Sequence, residues 1–140
     1  MIAAPDGRPT CARCTRPLAV CFCAHLHLLP TRTRVLLLQH TRERRMAIGT
    51  ARMAHLSLPN STLRVGTDFS ADPVVAAALA QPQPPYVLFP GPQARDVATL
   101  PRDRPLTLIV VDGTWWQARK LLKLNPAVAA LPRVGGSGPG

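Results

Sequence analysis

Six apolar or β-branched residues, Leu106 to Val111, run without interruption into Asp112-Gly113. A segment with no polar side has nothing to show to water on either surface. It requires a sheet covered on both faces, which means mostly parallel strands with helices packed against them. Arg34-Val-Leu-Leu-Leu-Gln39 is a second buried run bounded by turn signals, Tyr86-Val-Leu-Phe-Pro90 a third, and Thr62 to Val65 a further strand. Helical segments lie between them. Residues 42–57 stop before Pro59, with Met46, Met53 and Leu56 recurring on one side. Ala71 to Ala80 is entered at Asp72-Pro73, where Asp suits the cap and Pro the first turn. Thr114 to Leu124 ends at Asn125-Pro126. Strands alternating with helices define an α/β domain over residues 31–134. Residues 1–30 carry no periodicity and read as a small knuckle held by something other than a core. Residues 135–140, Gly-Gly-Ser-Gly-Pro-Gly, read as a flexible tail.

Charge narrows the partners. Net charge is +10, from 17 basic and 7 acidic residues. Neutralising phosphates releases condensed counterions, so a polyphosphate such as nucleic acid is the expected partner. Fifteen of the cations are Arg and the only Glu is Glu43. Compositional bias accounts for Arg in place of Lys, but not for so few acids. The first ten residues hold a charge and two prolines and no apolar core of a secretory leader. The longest apolar run is too short to span a bilayer. A cytoplasmic protein is expected, where thiols stay reduced and clustered cysteines point to metal more than to disulfides.

Such a cluster is present as Cys11-x2-Cys14-x6-Cys21-x-Cys23. Two close thiolate pairs brought together by a turn make a tetrahedral set suited to structural zinc, with His25 and His27 as possible substitutes for one thiolate. Redox thiols or incidental cysteines are the alternatives. On the helix at residues 42–57, Arg42, Arg45 and Arg52 recur at spacings of three and seven and share a face, so three guanidiniums can track a phosphate backbone. A solvated face is the competing reading. Arg119, Lys120 and Lys123 fall in the C-terminal half of the last helix, where the macrodipole favours cations.

Asp112-Gly113-Thr114-Trp115-Trp116 places a carboxylate at the C-terminal end of a buried strand, before a helix start. Open α/β sheets put their ligands there, and a helix N-terminus offers N–H groups to an anion. Adjacent Trp side chains point in different directions on a helix, so one packs and the other is free to stack on a base or an adenine ring. The plainer reading is that Asp112 caps the helix. The sequence contains no P-loop, no GxGxxG after a strand, no HExxH and no nucleophile elbow, which removes the usual signals of nucleotide hydrolysis, dinucleotide binding and hydrolase chemistry.

Taken in order, CARCTRPLAVCFC, VLLLQHTRERRMAIGTARMA, VLFPG and VVDGTWWQARKLLKLNP resemble the DTW-domain family of tRNA-uridine aminocarboxypropyltransferases, whose Asp-Thr-Trp signature is written here Asp112-Gly113-Thr114-Trp115. The likeness runs from Cys11 to Val134. It implies a SPOUT-like α/β fold with an N-terminal zinc knuckle, Zn2+ being structural and bound by Cys11, Cys14, Cys21 and Cys23. The implied activity is transfer of the 3-amino-3-carboxypropyl group of S-adenosyl-L-methionine to N3 of a tRNA uridine. Asp112 is then the candidate base. The turns at Pro90-Gly91 and Asp112-Gly113, with Thr114 and Trp115, would hold the cofactor, and Arg42, Arg45, Arg52 and Arg119 would hold tRNA. Members of the family often have His-Pro where this chain has His40-Thr41, and usually continue well beyond Val134, so the resemblance implies a C-terminally short member. A SPOUT-type RNA methyltransferase and a truncated, non-catalytic, zinc-stabilised RNA-binding protein are the alternative readings.

Overall fold

The computed structural model describes residues 2–3, 9–13, 18–21, 23–25, 28–41, 50–89 and 91–135. Near the N-terminus β1 (Ile2–Ala3) pairs antiparallel with β2 (Pro9–Thr10), and two single 3-10 turns follow at Leu18–Val20 and Cys23–His25. The remaining elements are β3 (Arg34–His40), α1 (Thr50–Ser57), β4 (Ser61–Gly66), α2 (Pro73–Leu79), β5 (Tyr86–Leu88), β6 (Arg95–Asp96), a 3-10 turn at Val97–Thr99, β7 (Thr107–Asp112), α3 (Trp115–Leu124), α4 (Pro126–Ala129) and β8 (Arg133–Gly135). Six strands form one sheet in the order β4-β3-β7-β5-β8-β6, and every pairing in it is parallel. The mixed α/β architecture expected from the apolar runs is the observed one.

The two central strands explain why. β3 is buried from Val35 to His40, and Leu36, Leu38, Val87 and Ile109 alternate onto one face of the sheet. There they meet Val75 and Ala78 of α2, Ala118, Leu121 and Leu122 of α3, and Val128 of α4, with Phe69 and Phe89 filling the ends. Burying each large aliphatic side chain contributes about 1.5–3 kcal/mol. Val35 and Leu37 point to the opposite face, which α1 covers where it packs against β3 and β4.

Two side chains fasten the helices. Asp72 caps α2, accepting from the N–H groups of Val74 and Val75 at 2.9 and 3.2 Å, while the Arg64 Nε donates to its other oxygen at 2.7 Å. The buried Asn125 amide sits between α3 and α4. Its Oδ1 accepts from the Phe69 N–H at 2.7 Å, and its Nδ2 donates to the Thr67 and Leu121 carbonyls at 2.8 Å each.

Three expectations need correction. Gly135 is not part of a tail: it is buried in β8, opposite Asp96 of β6. In α1 Ala51 is buried and Met53 is exposed, so Met53 does not belong to the buried face. The short elements β6, β8 and α4 were not expected at all. Residues 42–49, with Arg42, Arg45, Met46 and Gly49, lie outside the described residues, as do Cys14, His27, Pro90 and 136–140.

Candidate functional site

β3 leads through α1 to β4 on one side of the sheet, whereas β7 leads through α3 and α4 to β8 on the other. Neighbouring strands whose connections diverge leave a crevice at their C-terminal ends, where open α/β sheets bind ligands. Here those ends carry Gln39 and Asp112 in register. The Gln39 Nε2 donates to the Asp112 Oδ2 at 3.3 Å, so an amide from one central strand orients the carboxylate of the other. His40, also buried, follows Gln39 at the mouth.

Gly113 turns the chain away from the strand at φ +135, a backbone conformation that side-chain-bearing residues rarely adopt. Thr114 then caps α3. Its hydroxyl accepts from the Gln117 N–H at 3.2 Å, and the Gln117 side chain accepts from the Thr114 N–H at 2.9 Å. The cap of α3 is thus Thr114, and Asp112, half-buried, lies two residues before it at the crevice, hydrogen-bonded to Gln39. One Trp packs and the other is the more open, although neither is buried in the core. Trp115 is 58% exposed and stacks on Phe89, with centroids 4.8 Å apart and planes 12° from parallel. Trp116 is 68% exposed.

The Thr114–Trp116 turn separates two clefts. One, of about 360 Å3, is lined by Phe89, Gly91, Pro92, Gln93, Ala94, Trp115 and Arg133. A Cβ on Gly91 would meet nothing within 4 Å, so the chain leaves open space there. The Arg133 guanidinium lies 5.1 Å from the Phe89 ring centroid. The other cleft, of about 510 Å3, lies between His40, Thr41, Thr67, Thr114, Trp116, Gln117 and Lys120. Both volumes fall in the range of about 300–1,000 Å3 typical of small-molecule sites. Of the expected site residues, Gly91 and Trp115 share the first cleft with Phe89 and Arg133, and Thr114 lines the second with His40; Asp112 meets Gln39 at the strand ends, and neither Asp112 nor Gly113 lines either cleft. Sequence reasoning had not assigned Gln39, His40, Phe89 or Arg133 to the site. Arg119 is exposed on α3, and Arg52 is half-buried on α1.

At the N-terminus the Sγ atoms of Cys11, Cys21 and Cys23 all lie within 4.8 Å of one another, with 3.7 Å between Cys11 and Cys23. Residues from two separate turns converge on one point, as a metal site requires, and the set can hold a metal ion. Cys14, the fourth expected ligand, lies outside the described residues.

The family model of the DTW domain matches residues 8–135, from the cysteine cluster through β8. The chain belongs to the DTW domain family. Among characterised proteins it is similar to tRNA-uridine aminocarboxypropyltransferase 2 of Mus musculus, with 32% identity over 86% of this chain and 43% of that protein. It is also similar to tRNA-uridine aminocarboxypropyltransferase A of Arabidopsis thaliana, with 30% identity over 86% of the chain and 53% of the relative. The Drosophila melanogaster tRNA-uridine aminocarboxypropyltransferase 2 is 31% identical over 93% of the chain and 55% of the relative. This DTW-domain chain therefore spans about half the length of the relatives it matches. No solved structure matches it. Among the described residues no helix is long and apolar enough to cross a membrane.

Proposed function

We propose that this DTW-domain chain transfers the 3-amino-3-carboxypropyl group of S-adenosylmethionine to N3 of a uridine in tRNA, with Asp112 as the base. The observation that carries the reading is the position of Asp112. It is a carboxylate at the C-terminal end of β7, hydrogen-bonded by Gln39 and set at the crevice between the diverging central strands. Uridine N3 holds its proton at neutral pH, so its attack is assisted by a positioned base. The donor supplies an electrophilic carbon beside a sulfonium that is already a good leaving group; the N3–C bond forms as the S–C bond breaks.

The protein's own contribution is positioning and exclusion of water. The cleft between Gly91 and Trp115 would hold the donor, with the exposed Trp115 ring for an adenine and the Arg133 guanidinium for a carboxylate. The names of the relatives, all tRNA-uridine aminocarboxypropyltransferases, support both the reaction and tRNA as the acceptor.

A metal held by Cys11, Cys21 and Cys23, with Cys14 as the fourth ligand expected from the sequence, is read as structural zinc. Tetrahedral ligation with Zn–S bonds of about 2.3 Å separates sulfurs by about 3.8 Å, and the Cys11–Cys23 distance of 3.7 Å matches that edge.

The test is nucleoside mass analysis of unmodified tRNA incubated with the chain and S-adenosylmethionine. A uridine heavier by one aminocarboxypropyl group is expected, and a methyl increment would instead support the methyltransferase reading. Asp112→Asn is expected to cut turnover by about 10²–10⁴-fold while tRNA binding persists; unchanged turnover would remove Asp112 from the role. A zinc-stabilised RNA-binding module without transfer is the second reading, supported by the convergence of Cys11, Cys21 and Cys23. Retained tRNA binding with no mass change would favour it.

A further inference from the structure

Along α3, Trp116, Arg119, Lys120, Lys123 and Leu124 fall at positions i, i+3, i+4, i+7 and i+8. They therefore form one continuous stripe about 12 Å long. They also line a groove of about 750 Å3, and α3 contains no acidic residue to oppose their charge. The Lys120 ammonium lies 5.5 Å from the Trp116 ring centroid. A cation on one face fixes the ring's orientation, and its 68% exposure leaves the ring open to a partner. At that exposure the Trp116 side chain buries little, and it is not part of the core cluster of described residues.

This groove and the crevice cleft share Trp116, Lys120 and Leu124. A ligand on the stripe is therefore the immediate neighbour of whatever enters beside His40 and Thr114.

We propose that the α3 stripe binds the nucleotide flanking the reacting one: its base stacks on Trp116, and Arg119 and Lys123 hold the adjoining phosphates. The inference rests on the RNA-acceptor reading above and adds a constraint to it. A base can stack on a side chain only if it has left its helix, so the acceptor must be presented in a single-stranded segment. Charge complementarity selects a polyanion, and the exposed ring selects one with unstacked bases over a paired duplex.

The only tryptophans in the chain are Trp115 and Trp116, so Trp115→Phe leaves Trp116 as the sole indole reporter. With that variant, a single-stranded RNA of about ten nucleotides is expected to quench the fluorescence, and a blunt duplex of the same sequence to do so far less. In the otherwise unaltered chain, Trp116→Ala is expected to weaken single-strand binding roughly tenfold or more, and Trp116→Phe to restore most of it. Arg119→Gln and Lys123→Gln should each lower the salt dependence of binding by about one counterion. Equal binding and quenching by duplex, or a Trp116→Ala variant that binds as tightly as its parent, would overturn the platform. The readout does not depend on transfer. Quenching without any modified uridine would sink the transferase reading and leave the platform standing; modified tRNA with an unchanged KM in Trp116→Ala would do the reverse.

Discussion

Asn125 is one amide serving three backbone groups, and its removal is expected to cost more than any single cap. Asn125→Ala leaves the Phe69 N–H and the Thr67 and Leu121 carbonyls without that partner inside the fold. A loss of about 2–4 kcal/mol is expected in urea unfolding; a loss under about 0.5 kcal/mol would show that water replaces the amide. Thr114→Ala removes one half of a reciprocal cap, and about 1 kcal/mol is expected. At this scale the sequence was partly legible. Asp112 could be picked out because open α/β sheets place their ligands at the C-terminal ends of buried strands, although a helix cap was the plainer reading of the same carboxylate. The Thr114–Gln117 spacing is itself the mark of a reciprocal cap. Gln39 was not legible as its partner, because the pairing depends on the register between strands 73 residues apart. Arg133 belongs to a strand too short to show in the pattern.

Two helices carry different responses to acid. At the N-terminus of α2, burial alone would raise the Asp72 carboxyl. The Arg64 side chain, the Val75 and Val74 N–H groups and the Arg64 charge outweigh that and hold it below the usual 3.8. The folded state thus binds this proton less readily than the unfolded chain. The contribution is complete above 3.8 and is lost as pH falls through the lower folded value. In α1, burial and then the charge of Arg52 hold His55 below 6.5, and its Nδ1 lies 2.8 Å from the Ser61 hydroxyl. Here the unfolded chain gains the proton first, so stability declines as pH falls below 6.5. Thermal unfolding should therefore lose stability in two windows. His55→Gln is expected to flatten only the one near pH 6, and Asp72→Asn only the one below about pH 4. A His55→Gln profile parallel to the parent's would refute the assignment. Elements of this size were visible in the sequence where hydrophobic runs were long: β3, β7 and α3 lie within a residue of expectation. The two-residue β6, the three-residue β8 and the four-residue α4 were not. Elements that short have no periodicity of their own, and their neighbours make them.

For the whole molecule, the main core cluster contains, among the described residues, none before Leu36. Stripping metal with a chelator is therefore expected to disorder the segment around Cys11, Cys21 and Cys23 while helical circular dichroism and the main unfolding transition persist. Metal analysis of the untreated chain should find one zinc per chain. Collapse of the whole fold on chelation would show that the cysteine segment supports the domain. The strand order has another consequence, set by the direction of synthesis. β3 and β4 can pair as soon as both have emerged, but β5 and β6 pair only with β7 and β8, which come later. A nascent chain that has reached residue 105 therefore holds β5 and β6, two of the four main-sheet strands already made, without their partners, and residues 106–135 are the wedge that turns separate edges into one surface.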